Sequence, residues 1–293
     1  MKKLVIGCTV AAVIACLALV LTGCSSAPSS SSSSASSAAA STSASTSASS
    51  SGTKTLVVAM ELAYPPFETK TDAGDPDGVS VQFMKDFAEA YGYDLVIENI
   101  AWDGLIPSLQ TGKSDAVMSS MTITEERAQV VDFSQPYANA QLALLVNASS
   151  DVSSIDDLNS GGMTIAVKTG STGDKYATEH LTNCTITRLA DESACVTEVV
   201  QGKADAFIYD QLTILRNQQA NSDTTKAVYI PFQDTEKWGI AVGKGNTELL
   251  DQLNEFIAHS IEDGEFDRLT EQYLSSEKAA FDQLGFKWFF DLG

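Results

Sequence analysis

Two stretches of this chain repeat one local design. "QTGKSDAVMSS" (110–120) and "VQGKADAFIYD" (200–210) each read as a helix end at Gly-Lys, a short turn, and a strand beginning Asp-Ala. The glycine suits a helix C-terminus and the apolar run suits a strand covered on both faces. Counted from Gly112 and from Gly202, Ser119 and Ser120 stand where Tyr209 and Asp210 stand in the second copy. Each half also opens on a short strand, "TLVVAMELAYPPF" in the first and "MTIAVKTGSTGDKY" in the second. Within the first half, strands at Thr55–Met60, Asp94–Ile100 and Asp115–Ser119 alternate with helices at Val79–Tyr91 and Leu105–Gln110. That rhythm predicts an α/β fold, each half a mostly parallel sheet flanked by helices. Ligands of such sheets sit beyond the carboxyl ends of the strands. The rule collects Glu61 and Tyr64, Ser119 to Thr122, Lys168 to Thr172, and Tyr209 with Asp210; if the halves face each other, all line one cleft.

The N-terminus constrains the compartment. Lys2 and Lys3 precede an uncharged apolar run to Leu21, followed by Thr22-Gly23-Cys24. This is the shape of a secretory signal, 1–23, and its ending resembles the bacterial lipoprotein box, which implies lipid on Cys24. A membrane-spanning anchor is the alternative reading of the same run. Residues 24–53 are almost wholly Ser, Ala and Thr, too polar and too small to repay ordering, so a flexible tether with a reach of about 30 Å is expected. The formal charge of −20 offers no basic stripe for phosphates, so no nucleic acid partner is expected. Beyond the signal and Cys24 only Cys184 and Cys195 remain, read as two separate buried thiols. No His or Cys spacing suits a metal, and neither metal nor cofactor is expected.

One segment contradicts itself. In "SSMTITEERAQVVDFSQPY" (119–137), Thr124, Glu125 and Glu126 form a helix start, yet Arg127 follows in the first turn, where the dipole disfavours a cation. From the residues alone, Arg127 is either solvated beside Glu126 or Asp132, or reserved for an anion brought from outside.

The stretches "VVAMELAYPPFE", "WDGLIPSLQTGKSDAVMSSMTITEERAQVVDFSQPY", "VKTGSTGDKYA" and "GKADAFIYD" resemble the family 3 solute-binding proteins of amino acid importers, of the glutamine- or lysine/arginine/ornithine/histidine-binding type. The resemblance runs from residue 54 to about 275; "SSEKAAFDQLGFKWFFDLG" lies beyond it and reads as an added helical segment packing its aromatics on the first lobe. It implies a two-lobed, periplasmic-binding-protein-like (Venus flytrap) fold with two hinge crossings, near Tyr137–Gln141 and Glu236–Trp238. Lobe 1 would be 54–137 plus 239–293, and lobe 2 would be 138–238. It further implies a monomer held on the outer face of the cytoplasmic membrane, serving an ABC transporter permease and its ATP-binding subunits.

For the cleft, it implies that Arg127 takes the carboxylate of a free amino acid through its planar fork. Backbone N–H groups near Thr122, Ser171 and Thr172 would assist. Asp210 would accept from the ammonium, although an N-cap role is equally open to it. Ser120 and Thr122 would add neutral hydrogen bonds; Ser119 matches a contact position or is strand packing. Tyr64 and Trp102, both in loops, would form the side-chain walls, with Tyr209 beside Asp210. Glu61 and Lys168 would set specificity, favouring glutamine over arginine, lysine or histidine. Two alternatives share the fold: a cyclohexadienyl-dehydratase-like enzyme with Glu61 as acid, and an amino acid sensor domain leading into a transmembrane helix. A partner for Glu61 in Lys168 disfavours the first.

Overall fold

The computed structural model describes residues 53–229 and 231–292; the signal segment, Cys24 and the tether up to residue 52 lie outside the described residues. From β1 (Lys54–Met60) the chain makes a small hairpin of β2 (Thr69–Lys70) and β3 (Pro76–Asp77), then α1 (Val79–Tyr91) and β4 (Tyr93–Asn99). It continues through α2 (Leu105–Gln110), β5 (Ala116–Val117), α3 (Glu125–Ala128) and β6 (Val131–Phe133). A short strand β7 (Ala138–Ala140) leads into β8 (Leu142–Asn147), β9 (Thr164–Lys168), α4 (Thr172–His180), β10 (Thr185–Leu189), α5 (Glu192–Val200), β11 (Ala206–Asp210), α6 (Gln211–Ala220) and β12 (Thr225–Val228). Strand β13 (Glu236–Trp238) then returns to β14 (Ala241–Gly243), which precedes α7 (Thr247–Glu262), α8 (Glu265–Tyr273) and α9 (Ser275–Leu284).

The strands form two five-stranded sheets, ordered β4-β1-β5-β14-β6 and β10-β9-β11-β8-β12. Both follow one rule: second strand, first strand, third strand, the strand arriving from the crossing, last strand. The echo at Gly112 and Gly202 is therefore an architectural repeat, and each glycine has the left-handed φ of a helix end (69° and 68°). One feature departs from the expected mostly parallel sheets: β14 and β8 run antiparallel to both of their neighbours. The cause lies in the crossings. β7 and β13 pair with each other and enter the sheets from the cleft end, so the strands that follow them must run away from it. β5 is also shorter than the apolar run suggests, because the chain turns into the cleft at Ser119 and Ser120.

Each half has its own core. Phe83, Met84 and Phe87 of α1 lie against Val58, Leu253 and Phe266, while Leu144, Ile165, Val167 and Ile208 fill the second. The architecture is the two-lobed Venus-flytrap type. No disulfide links Cys184 to Cys195; Cys195 is buried, but Cys184 is only half-buried, because it precedes the edge strand β10 rather than lying under the sheet.

The C-terminal segment is helical, and Phe281, Trp288 and Phe289 join the first core. It also reaches the crossing, which its sequence does not reveal. The Phe289 ring meets Phe67 at 5.1 Å and Trp238 of β13 at 5.3 Å. Asn139 of β7 donates its backbone N–H to the Phe289 carbonyl and its amide to the Asp291 carbonyl, both at 2.6 Å. Phe286 contacts Tyr229, just after β12, at 4.8 Å. Removing a buried Phe costs roughly 3–5 kcal/mol. Phe289→Ala should lower stability by that amount in denaturant titration, while Leu284→Ala, at an exposed position, should stay within about 0.5 kcal/mol. Equal effects would mean the segment is not part of the folded core.

Candidate functional site

The site begins with the capping of a one-turn helix. Thr124 Oγ1 accepts from the Arg127 N–H at 3.2 Å, which folds α3 so that the guanidinium turns back over Thr122. Nη1 donates to the Thr122 carbonyl at 2.7 Å and Nη2 to the Gly170 carbonyl, from the other sheet, at 3.1 Å. The guanidinium lies 5.2 Å from the Trp102 ring centre. Glu126 instead faces Lys175, and Asp132 pairs with Lys244. Arg127 therefore forms an ion pair with neither Glu126 nor Asp132. Burial lowers the basicity of Arg127 and Glu236 opposes this, and a guanidinium stays charged at neutral pH.

Opposite it, Ser171 caps α4 by accepting from the Asp174 N–H at 3.1 Å. A Cβ at Gly173 would meet the Ile208 carbonyl oxygen at 2.8 Å, so only glycine lets α4 begin this close to β11. At the end of β11, Asp210 does cap α6: Oδ1 accepts from Leu212 N–H at 2.9 Å and Thr213 N–H at 3.1 Å. Its other oxygen is buried beside the Tyr64 hydroxyl, burial raises its pKa, and the residue lines the cavity. An acceptor of this kind is suited to a cation.

At the far end, Glu61 and Lys168 form an ion pair between β1 and β9 that is nearly out of water. Glu61 Oε1 also accepts from the Trp102 N–H at 3.2 Å, and its own N–H donates to Ser119 Oγ at 3.0 Å. Tyr64, although in a loop, is 6 % exposed; its ring stacks on Phe67 and meets Tyr209 and Trp238 edge-on. It is core and wall at once, because the loop folds back under β13. Trp102 remains half-exposed over the cleft.

These groups surround one cavity of about 40 Å³ between the two sheets. Its walls bring together Glu61, Tyr64, Trp102, Ser119, Ser120, Thr122, Arg127, Ser171, Thr172, Tyr209 and Asp210. Lys168 is not among them: it stands behind Glu61 with Nζ 5.4 Å from the Trp102 ring centre. Ala140, Leu142, Glu236 and Trp238 complete the lining, and sequence reasoning missed all four. The expected crossing at Glu236–Trp238 was the available signal.

Two further acids escaped notice. Glu68 is fully buried and accepts from Ser80 Oγ and from Ser120 Oγ, the latter at 3.1 Å to both oxygens. Ser120 sits in the left-handed region (φ 49°), with its hydroxyl donated to Glu68. Burial pushes the Glu68 carboxyl up to about 8. Glu192, at the start of α5, is also pushed up to about 8, by burial and then by Asp210.

A cation and carboxylates from two sheets thus line one cleft between them. Residues 56–276 match the bacterial extracellular solute-binding proteins, family 3, and the chain belongs to that family. It is 32% identical over 228 residues to a probable histidine-binding protein of Neisseria gonorrhoeae, covering 76% of this chain and 84% of the relative. An ancestral arginine-binding protein solved with bound glutamine superposes with a TM-score of 0.69 at 34% identity, covering 75% of this chain and 97% of that one. An ancestral amino acid-binding protein described as a precursor of cyclohexadienyl dehydratase gives 0.69 at 35%, covering 75% and 94%.

Glu68 links the site to pH. Its folded pKa lies above the ordinary value of 4.5, so its contribution to stability is complete below about pH 4.5 and is lost as pH rises through about 8. The ceiling is on the order of 4 kcal/mol. Glu68→Gln cannot ionise. Its melting temperature should therefore gain on the unmodified protein by on the order of 10 °C between pH 6 and pH 9. A constant gap across that range would mean Glu68 is ionised throughout.

Proposed function

We propose that the protein captures a free polar L-amino acid between its lobes, glutamine most tightly, and delivers it to an ABC importer. The observation that carries this reading is the placing of Arg127 and Asp210, a guanidinium and a carboxylate, in the walls of one cavity. The carboxylate and ammonium of a zwitterion answer both. In this reading the lobes are 54–137 with 239–293 and 138–238, hinged at β7 and β13, and the chain acts from the outer face of the cytoplasmic membrane, anchored through lipid on Cys24.

Specificity follows from charge. Glu61 and Lys168 already cancel, so a neutral side chain suits them. A glutamine amide donates to Glu61 and brings no net charge to the Glu61–Lys168 pair. Glutamate brings an anion to Glu61, and arginine or lysine competes with Lys168 for it. A buried like-charge contact costs several kcal/mol, more than the roughly 0.5–2 kcal/mol a guanidinium gains by stacking on aromatic faces. Histidine, arginine and lysine stand next. A dehydratase-like activity is less well supported: Glu61, the carboxylate beside the side-chain walls, is ion-paired, which favours its ionised form and leaves it no proton to donate.

A thermal-shift panel of the twenty amino acids, backed by calorimetry and by incubation with prephenate, tests the proposal. Glutamine should stabilise most. Arg127→Ala and Asp210→Ala should each lose roughly 2–5 kcal/mol of binding, and Lys168→Leu should shift preference towards arginine and lysine. Binding within threefold of the original in the Arg127 and Asp210 variants, or turnover of prephenate, would overturn it.

A further inference from the structure

Glu236 opens β13, pairs with Ala140 of β7 at the crossing, and lines the cavity. Its Oε2 accepts from Thr122 Oγ1 at 2.7 Å and from Thr172 Oγ1 at 3.0 Å. Thr122 leads out of the first sheet and Thr172 begins α4 of the second. Gln233 Nε2 donates to the other oxygen at 2.7 Å, so the carboxylate cannot easily turn away.

The two threonines are not equivalent. Thr122 is stitched to β13 by the backbone: it bridges to Trp238, Ile123 N–H donates to the Lys237 carbonyl at 2.8 Å, and Gly239 N–H donates to the Met121 carbonyl at 3.1 Å. Its bond to Glu236 survives any movement of the second sheet. The bond from Thr172 does not, because α4 moves with β9 and β11. We infer that Glu236 is an interlobe clasp: a hinge-strand carboxylate that keeps Thr122 at all times and gains Thr172 only when the cleft is shut. The inference rests on the amino acid-binding reading and adds to it a residue that acts through closure.

Two consequences follow. A threonine hydroxyl has one proton, and both protons are given to Glu236, so Thr122 and Thr172 meet a ligand only as acceptors. They therefore support an ammonium rather than a carboxylate, which leaves the anion to Arg127 and backbone N–H groups. The clasp also contributes equally to every ligand, because apparent affinity scales with the population of the closed form. Glu236 thus sets strength of capture and not choice of side chain.

The test uses the full-length protein. Glu236→Gln should raise the Kd of every amino acid that binds by about ten- to a hundredfold, with their ranking unchanged. Thr172→Val should reproduce the loss, Thr172→Ser should recover most of it, and Glu236→Gln with Thr172→Val should lose no more than Glu236→Gln alone. Independently, hydrogen exchange without added amino acid should be at least fivefold faster in Glu236→Gln across 168–174, with 121–123 little changed. Kd values within threefold, a changed ranking, additive losses or unchanged exchange would each overturn the clasp. If the unmodified protein binds none of the twenty amino acids, the transport reading fails, and the exchange comparison still decides for or against the clasp.

Discussion

The Glu61–Lys168 ion pair joins the ends of two strands that belong to different sheets, with both side chains almost wholly out of water. Bringing two such charges into a protein interior costs several kcal/mol per ion unless each finds its partner and further hydrogen bonds. Lys168 forms its ion pair across the two sheets, although Glu192 of its own side is close enough to feel its charge. The cost of burying the pair sets how completely the rest of the cleft must be matched. Trp102 meets this demand twice, through its N–H to Glu61 and through its ring face beneath Lys168 and Arg127.

The same requirement explains the other cross-cleft contacts. Arg127 reaches the Gly170 carbonyl, and Glu236 collects hydroxyls from both sides. Asp210 keeps one buried oxygen beside the Tyr64 hydroxyl, and Glu192 keeps one with no partner. In the proposed reading, Arg127 and Asp210 in the walls of one cavity answer the carboxylate and ammonium of a single molecule. The C-terminal segment fixes the frame in which this happens. By bonding to Asn139 of β7 and packing Phe289 on Trp238 of β13, it buttresses both crossing strands from the side of the first core.

Much of this was legible in the sequence, for identifiable reasons. The helix–glycine–strand echo carried the doubled architecture because glycine at a helix end and apolar runs in a buried strand are local requirements. Thr124 announced its cap, and Arg127 stood out as a cation where a helix does not favour one. What stayed hidden depends on atoms far apart along the chain. Ser120 lines the cavity as read, but its bond to Glu68 is not visible in the local sequence. Lys168 reads as a cavity wall until Glu61 draws it behind. The antiparallel course of β8 and β14 follows from where the crossings enter each sheet, which no local pattern encodes. Glu236 stands at an expected crossing, and only the meeting of Thr122 and Thr172 gives its carboxylate a role.

The central claim is that the cleft is built for a zwitterion held between Arg127 and Asp210. Native mass spectrometry of the protein purified from its own cells, without unfolding or exhaustive dialysis, tests this most directly. The account predicts a species heavier by one free α-amino acid, displaced by adding excess glutamine. A retained molecule without the paired ammonium and carboxylate, such as a sugar, a dicarboxylate or an inorganic anion, would contradict it.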